Sequence, residues 1–554
     1  MPSAAKSPSR KYWRNGHGMP RTARNKVLLI GLDSADRELV ERWCDEGHLP
    51  TMAGLRSEGL WSPLATTAEV MHVSAWPSIY TGTLPGKHGM YHAYQIRAGE
   101  QDVHRTVAEE CAEPPFWKHL DDAGRKCIVM DAFMDYRLPG FGGIQIVEYG
   151  TWTWFTTPAS TPTQMYKEIV ARFGRYPAPE HTQVLNVPEP RAFRDRLRQG
   201  AAVKAKAAKW LMQTHPWDLC FLTFGEPHAA GHFLWHVEDP SYPSHPQGGI
   251  EGLEFCLRET YAAVDAAIGE ILDALDDSVT VIVTSGDGMG PNYSGCHLIP
   301  DTLHRLDLFH SASVGAPAGN ETARPKKGAL ASIREAIPLS VRHAITRCLP
   351  HDLHYRLSMK WANSGIDWTR SKAFCIPNAN EAYVRVNLRG REPQGIVASG
   401  QAYRDLLAEL DEEFQTLVNP ANGRRAAHRV YDTDRVFPGP LRGNLPDVVV
   451  TWDPDARVLD ELESARAGRV RKRASFETAP YYTGNHRPNA FVLARGPAVT
   501  RGARLVDAHI VDIAPTILEM LGVTPPAHFD GRAWAVFNGA GAGARAAAAN
   551  RSAS

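Results

Sequence analysis

The chain has 554 residues, more than one hydrophobic core usually serves, so a large core domain with an insertion or second lobe is expected. Lysine plus arginine equal aspartate plus glutamate at 61 each, a balance that argues against a nucleic-acid or membrane-surface partner and leaves a small molecule as the expected substrate. No run approaches the ~18 uninterrupted apolar residues of a membrane helix, and the N-terminus lacks the apolar middle of a secretory signal. The eight cysteines are widely spaced with no C-x-x-C pair, as expected for reduced thiols of a cytoplasmic protein.

Residues 1–24 form a basic arm, read as a disordered extension or a mis-assigned start, with Met19 just ahead of the first strand. Lys26 to Leu32 is then a short apolar run ending in Asp33, the pattern of a buried parallel strand presenting a carboxylate at its carboxyl end, where open α/β sheets bind ligands. Arg37 to Gly59 has helical spacing, and Cys127 to Met130 with Asp131 repeats the strand signal. A helical pattern at Ala201 to Gln213 precedes the strand Leu219 to Phe224, which delivers Glu226-Pro227-His228-Ala229-Ala230-Gly231-His232. A long amphipathic helix, Glu254 to Leu275, leads to the β-branched strand Val279 to Thr284 and to Ser285-Gly286-Asp287-Gly288.

This alternation predicts an α/β core, a central mostly parallel sheet with helices on both faces, whose first part spans 26–310. Residues 311–370 change composition and read as a helical insertion or cap, with helices at Leu330 to Ile337 and Ser340 to Arg347. Residues 371–455 read as a smaller α/β subdomain, with strands at Ala382 to Leu388 and Pro446 to Trp452 around a helix at Ala402 to Leu417. The core returns over 475–535, and the Ala/Gly-rich tail 538–554 lacks periodicity and is expected to be disordered.

The chemistry lies at the strand ends. His228 and His232 are four apart, so both imidazoles share one helix face and one ion reaches both; the pair also arises by chance on solvated helices, and the preceding strand and Pro227 favour the metal reading. His236 extends that face, in a supporting or rim position. Asp33 and Asp287 each follow a strand directly; either alone is most often a helix N-cap, but two of them, the second between Gly286 and Gly288, favour ion binding. His486 stands in Gly484-Asn485-His486-Arg487-Pro488. The run Gly82 to His88 is one residue too short for a phosphate-binding P-loop and carries His where Ser or Thr must meet magnesium, so it reads as a tight turn. Neither H-E-x-x-H nor G-x-S-x-G occurs.

The order of these segments resembles the alkaline phosphatase superfamily, in particular its type I phosphodiesterase and nucleotide pyrophosphatase branch, over roughly residues 26–535. Ser74-Ala75-Trp76-Pro77-Ser78 followed by Pro85-Gly86-Lys87-His88-Gly89 is similar to the stretch around the family nucleophile, and Val511 to Leu518 with Asp530-Gly531 to its last core helix and tail. The resemblance implies an alkaline-phosphatase-like fold and two divalent ions held by Asp and His around a nucleophilic Thr or Ser. Asp33, His232 and His486 match the implied residue types. His228 stands where Asp is usual, Gly286 where Asp is usual, Asp287 where His is usual, and His72 where the family has its nucleophile. The departures suggest two ligand sets, His228 with His232 and His486, and Asp33 with Asp287 and His72.

Three replacements for the nucleophile follow. A hydroxide on the ion ranks first, since a divalent ion lowers the pKa of its water to near ~7, with His72 as a ligand linked to it; a transiently phosphorylated His72, and Ser74, or Thr66 and Thr67, as a substitute nucleophile, are the other two. The resemblance therefore implies a hydrolase of phosphate mono- or diesters, or of related sulfate or phosphonate esters, dependent on one or two divalent ions, zinc first and manganese or iron also suited. A phosphoryl transferase or mutase on the same fold, and a catalytically degenerate metal-binding protein, are the alternatives.

Overall fold

The computed structural model describes residues 25–150, 158–178, 189–311, 365–472, 482–535 and 537. The basic arm, the helices expected at 330–337 and 340–347, almost all of the proposed cap, and the tail lie outside the described residues.

Eight strands form the main sheet: β1 (Lys26–Leu32), β2 (Leu60–Pro63), β3 (Cys127–Met130), β4 (Ile144–Val147), β5 (Ala159–Thr161), β6 (Leu219–Phe224), β7 (Val279–Ser285) and, late in the chain, Phe491–Arg495. Their order is β2, Phe491–Arg495, β7, β1, β6, β3, β4, β5. β7, β1, β6, β3 and β4 run parallel, while Phe491–Arg495 and β5 pair antiparallel with their neighbours. The parallel strands are apolar at nearly every position because both faces are covered. Along β1 and β6 the side chains alternate between two cores: Leu28, Ile30, Cys220 and Leu222 face one helical layer, and Val27, Leu29, Leu219 and Phe221 the other.

The helices follow from the same pattern. The expected helix from Arg37 to Gly59 is two, α1 (Arg37–Asp45) and α2 (Pro50–Glu58). Gly47 between them has φ +81° and Pro50 cannot continue a preceding helix, so the chain turns there. The short α3 (Ala75–Thr81) lies on the face of the sheet carrying Ile513–Met520, while α4 (Pro190–Thr214), α5 (Glu226–Glu238) and α6 (Cys256–Leu272) cover the other. Leu257, Tyr261, Val264, Ile268 and Ile271 of α6 recur at helical spacing and are all buried. Among the described residues no helix is long and apolar enough to cross a membrane.

Between the two parts of the core, the chain builds a second lobe. β8 (Gly288–Pro291) leaves the main sheet; β9 (Ala373–Ile376), β10 (Ala382–Val386), β11 (Ala427–Asp432) and β12 (Val448–Trp452) then form an antiparallel sheet in the order β9, β10, β12, β11. Helix α7 (Gln401–Gln415) shares a core with this sheet through Leu406, Leu410 and Phe414. The chain returns through β13 (Gly484–Arg487), which pairs with β8 and sets His486 opposite Met289, then forms β14, the strand Phe491–Arg495, and α8 (Ile513–Met520).

What matters for the site is one edge. β7, β1 and β6 are adjacent and parallel, with Leu32 level with Phe224 and Gly31 with Thr284, so their carboxyl ends emerge together. The residues that follow are Asp287, Asp33 and the start of α5.

Candidate active site

β1 ends on Gly31-Leu32-Asp33 beneath the indole of Trp76. A Cβ at Gly31 would lie 2.4 Å from Trp76 Cη2, so only glycine lets the ring sit there. The ring then donates from Nε1 to Asp33 Oδ1 at 2.7 Å. The other carboxylate oxygen, Asp33 Oδ2, meets His228 Nδ1 at 2.7 Å.

Helix α5 begins directly after β6, and the four-residue spacing brings His228 and His232 together, with Nε2 to Nε2 at 2.8 Å. His232 Nδ1 donates to the Gly484 carbonyl at 2.9 Å. This contact needs a close approach of β13 to α5: a Cβ on Gly484 would lie 2.1 Å from the Gly231 oxygen. Two residues further along the strand, His486 Nδ1 lies 2.7 Å from Asp287 Oδ2, and Ser34, in a left-handed conformation at φ +51°, donates to the same oxygen at 3.2 Å.

Each of the three imidazoles thus uses Nδ1 on an oxygen acceptor: Asp33, the Gly484 carbonyl and Asp287. That fixes the tautomer of His232 outright, because a carbonyl can only accept. With the Nδ1 of each ring on an oxygen, the Nε2 atoms of His228 and His232 face each other at 2.8 Å, a separation that a shared proton or a bound cation can bridge. Histidines whose second nitrogen is engaged by a carboxylate or a carbonyl are the usual ligands of a metal centre. Among the described residues His228, His232 and His486 form a group whose ligand atoms all lie within 4.8 Å of one another, and the donor set fits a divalent ion of the zinc type. Burial, with the neighbouring His72, His228 and His232, pushes His486 well below the ordinary histidine range, so it is a neutral ring. Burial and then the Asp33 carboxylate push Asp287 well above the usual carboxylate range.

The second ligand set expected from the sequence does not assemble. Asp33 and Asp287 hydrogen-bond His228 and His486, and His72 places Nδ1 on Glu381, at 3.1 and 2.9 Å from its two oxygens. The His72 ring stacks on His486, centroids 4.1 Å apart. Ser74 is corrected as a nucleophile. It is fully buried, with its hydroxyl on Met71 O and Thr67 Oγ1, and it does not line the cavity. Thr66 Oγ1 donates to the Gly286 carbonyl, and Thr67 faces Ser74 and Ser78. Ser74→Ala is therefore expected to keep kcat/KM within about threefold of wild type while losing ~1 kcal/mol of stability with its hydrogen bond, measured by steady-state assay and urea melt.

Of the flanking polar residues, Lys87 is tied to the Asp530 carboxylate and His528 O, buried His88 to Ser78, and Arg487 to Glu38. His236 takes a rim position on Thr483. The sequence reading missed Trp76 and Ser34 as orienting groups, and missed Glu381 altogether.

The cluster opens into a cavity of about 1330 Å³ between the lobes. Trp76, Tyr94 and Phe133 line it from the core, Phe309, Ile376 and Pro377 from the second lobe, with Asp301, His304 and Arg370 further round the wall. It can hold a substrate with an anionic group at the histidines and an apolar remainder between the lobes.

The family model for type I phosphodiesterase / nucleotide pyrophosphatase matches residues 27–486, and the chain belongs to that family. It is accordingly a phosphohydrolase. The chain is similar to phosphonoacetate hydrolase of Sinorhizobium meliloti, solved with phosphonoformate, at 12% identity over 89% of this chain and 94% of that one, TM-score 0.48. It is also similar to human ectonucleotide pyrophosphatase / phosphodiesterase 5, at 13% identity over 91% of this chain and 97% of that one, TM-score 0.45. A comparison with curated protein sequences finds no significant match.

Proposed function

We propose that this protein hydrolyses a small phosphate mono- or diester, or a related sulfate or phosphonate ester, with a divalent ion, zinc first, held by His228, His232 and His486. The observation that carries the reading is the convergence of three imidazoles whose Nδ1 atoms are each taken by an oxygen. When bound, a divalent ion supplies Lewis acidity to the ester oxygens and acidifies water.

The chain's own residues do the rest. Asp33, held by Trp76, keeps the His228 ring in one orientation; the Gly484 carbonyl does the same for His232, and Asp287 with Ser34 for His486. Such fixed donors need no rearrangement when charge develops on phosphorus oxygens. His72 lies on the cavity wall against His486, and the sequence resemblance implies that it stands at the family's nucleophile position. The aromatic and aliphatic walls from the two lobes hold the leaving group and exclude water around it. Six of the seven described cysteines are buried and all are unpaired, which supports a reducing compartment as the place of work.

The test is metal content by elemental analysis together with a panel of aryl phosphate, phosphonate and sulfate esters. Metal bound in stoichiometric amount with activity on one class supports the reading; metal-free protein without activity overturns it. Dialysis against a chelator is expected to abolish turnover and lower Tm, since an ion that binds the native state alone stabilises it by about 2.7 kcal/mol at a hundredfold excess over Kd. Re-addition of zinc restores both, and an unchanged Tm after complete metal removal would count against an ion at the buried histidines.

A further inference from the structure

The second lobe sends one charged side chain into the histidine cluster, from the loop between β9 and β10. Glu381 is 3% exposed, and both of its oxygens accept hydrogen bonds. Its Oε1 accepts from the His72 backbone N–H at 3.2 Å, from His72 Nδ1 at 3.1 Å and from Asn380 Nδ2 at 3.1 Å. Its Oε2 accepts from His72 Nδ1 at 2.9 Å, from Asn378 Nδ2 at 3.0 Å and from the Tyr383 hydroxyl at 3.1 Å. A carboxylate surrounded by donors on both oxygens is held as an acceptor. The proton between it and His72 therefore belongs to Nδ1, and of the two ring nitrogens Nε2 is the one that can present a lone pair.

The loop that carries Glu381 is itself pinned, one carbonyl after another. Cys296 Sγ lies 3.3 Å from Asn378 O, Ser294 Oγ and Asn485 Nδ2 both donate to Ala379 O, and Trp452 Nε1 donates to Asn380 O at 2.9 Å. Asn485 is the neighbour of His486 in β13, so the same short strand anchors the loop and bears a member of the cluster. A carboxylate placed this rigidly against one face of a histidine, with the imidazole stacked on His486, sets both the tautomer and the direction of that ring.

We propose that Glu381 is a positioning residue for the hydrolysis: it holds His72 as the Nδ1–H tautomer and turns Nε2 to the reacting group, so that the site is complete only when the second lobe is seated on the core. Glu381 itself touches neither the ester nor the ion. The inference rests on the hydrolytic reading of the cavity, but its structural half, the tautomer, stands separately from it.

Long-range ¹H–¹⁵N correlation on metal-free protein labelled at histidine, with the His72 signals identified by their loss in His72→Gln, reads the tautomer directly. The expected result is a protonated Nδ1 and an unprotonated Nε2; the opposite tautomer overturns the proposal whatever the activity. Glu381→Gln is expected to lower kcat by 10- to 100-fold, the range typical of orienting partners, with KM and metal content near wild type and with Glu381→Asp recovering part of the loss. Loss of bound metal in Glu381→Gln would make Glu381 a ligand, and an unchanged kcat would make it structural; either result overturns the proposal. Should Glu381→Gln not fold, Asn378→Ala, which removes one donor from Oε2, is expected to lower kcat in the same sense without moving KM, and an unaltered kcat there counts against it. If wild type turns over no ester, the function reading fails while the tautomer still decides the link between Glu381 and His72.

Discussion

His232→Ala is expected to lose the bound ion and lower kcat/KM by about a thousandfold or more, whereas Asp33→Asn is expected to keep most of its metal and lose only about 10- to 100-fold. The contrast follows from what each group touches. His232 offers Nε2 to the cluster, 2.8 Å from His228 Nε2, and its removal leaves two imidazoles where three converge. Asp33 meets the cluster only through His228 Nδ1, and an amide oxygen at the same place still accepts that proton. The amide nitrogen then faces Trp76 Nε1, a donor against a donor, and this lost orientation accounts for part of the expected fall in activity. Metal content and steady-state kinetics on the two purified variants check the prediction. Equal loss of metal in both would make Asp33 a ligand and restore the two-site arrangement read from the sequence.

Much of this site was legible because parallel strands advertise their ends. β1, β6 and β7 are continuous apolar runs that stop at a polar residue, and chain topology then brings Asp33, His228 and Asp287 to one edge without further instruction. The roles of these residues were not legible. A carboxylate that binds an ion and one that orients a histidine look alike in sequence; the 2.7 Å contacts to His228 and His486 favour the orienting role. Ser74 shows a second limit. His72–Ser74 is a single 3-10 turn, in which residues two apart point away from each other, so a nucleophile two positions along cannot share the cavity with His72. Glu381 was out of reach for a third reason: it precedes its strand rather than following it, and it meets a residue 309 positions away across the lobes. The break between α1 and α2 was readable in Gly47 and Pro50, but the apolar period continues across it and masks the turn.

Lys204→Met is expected to destabilise the protein by about 3–5 kcal/mol near pH 8, because it removes the cation from a buried group of carboxylates. Lys204, on α4, is fully buried. Its ammonium donates to Thr223 O at 2.8 Å and Gly150 O at 3.2 Å, and lies 3.4 Å from Asp131 Oδ2 and 4.0 Å from Glu226 Oε1. These partners join the end of β6, the loop after β4 and the first residue of α5, two positions before His228. Burial is the main influence raising the Asp131 and Glu226 carboxyls, and Lys204 is the largest influence opposing it. Without the lysine both rise further, and Asp131 with its two backbone donors, Tyr149 N and Gly150 N, and Glu226 with the Tyr176 hydroxyl, must hold charge unaided or take up protons. Carboxyls raised above their unfolded values bind protons that the unfolded chain does not, so the variant is most stable below the ordinary carboxylate range and loses stability as pH rises through the raised values. Urea melts of wild type and Lys204→Met at pH 5 and pH 8 should therefore show a gap that widens with pH. A gap below ~1 kcal/mol at both would mean that hydration or rearrangement replaces the lysine. Because Glu226 opens the helix that carries His228 and His232, the same variant is expected to bind zinc more weakly at pH 8 than at pH 5 relative to wild type, and that comparison would tie the buried lysine to the precision of the histidine cluster.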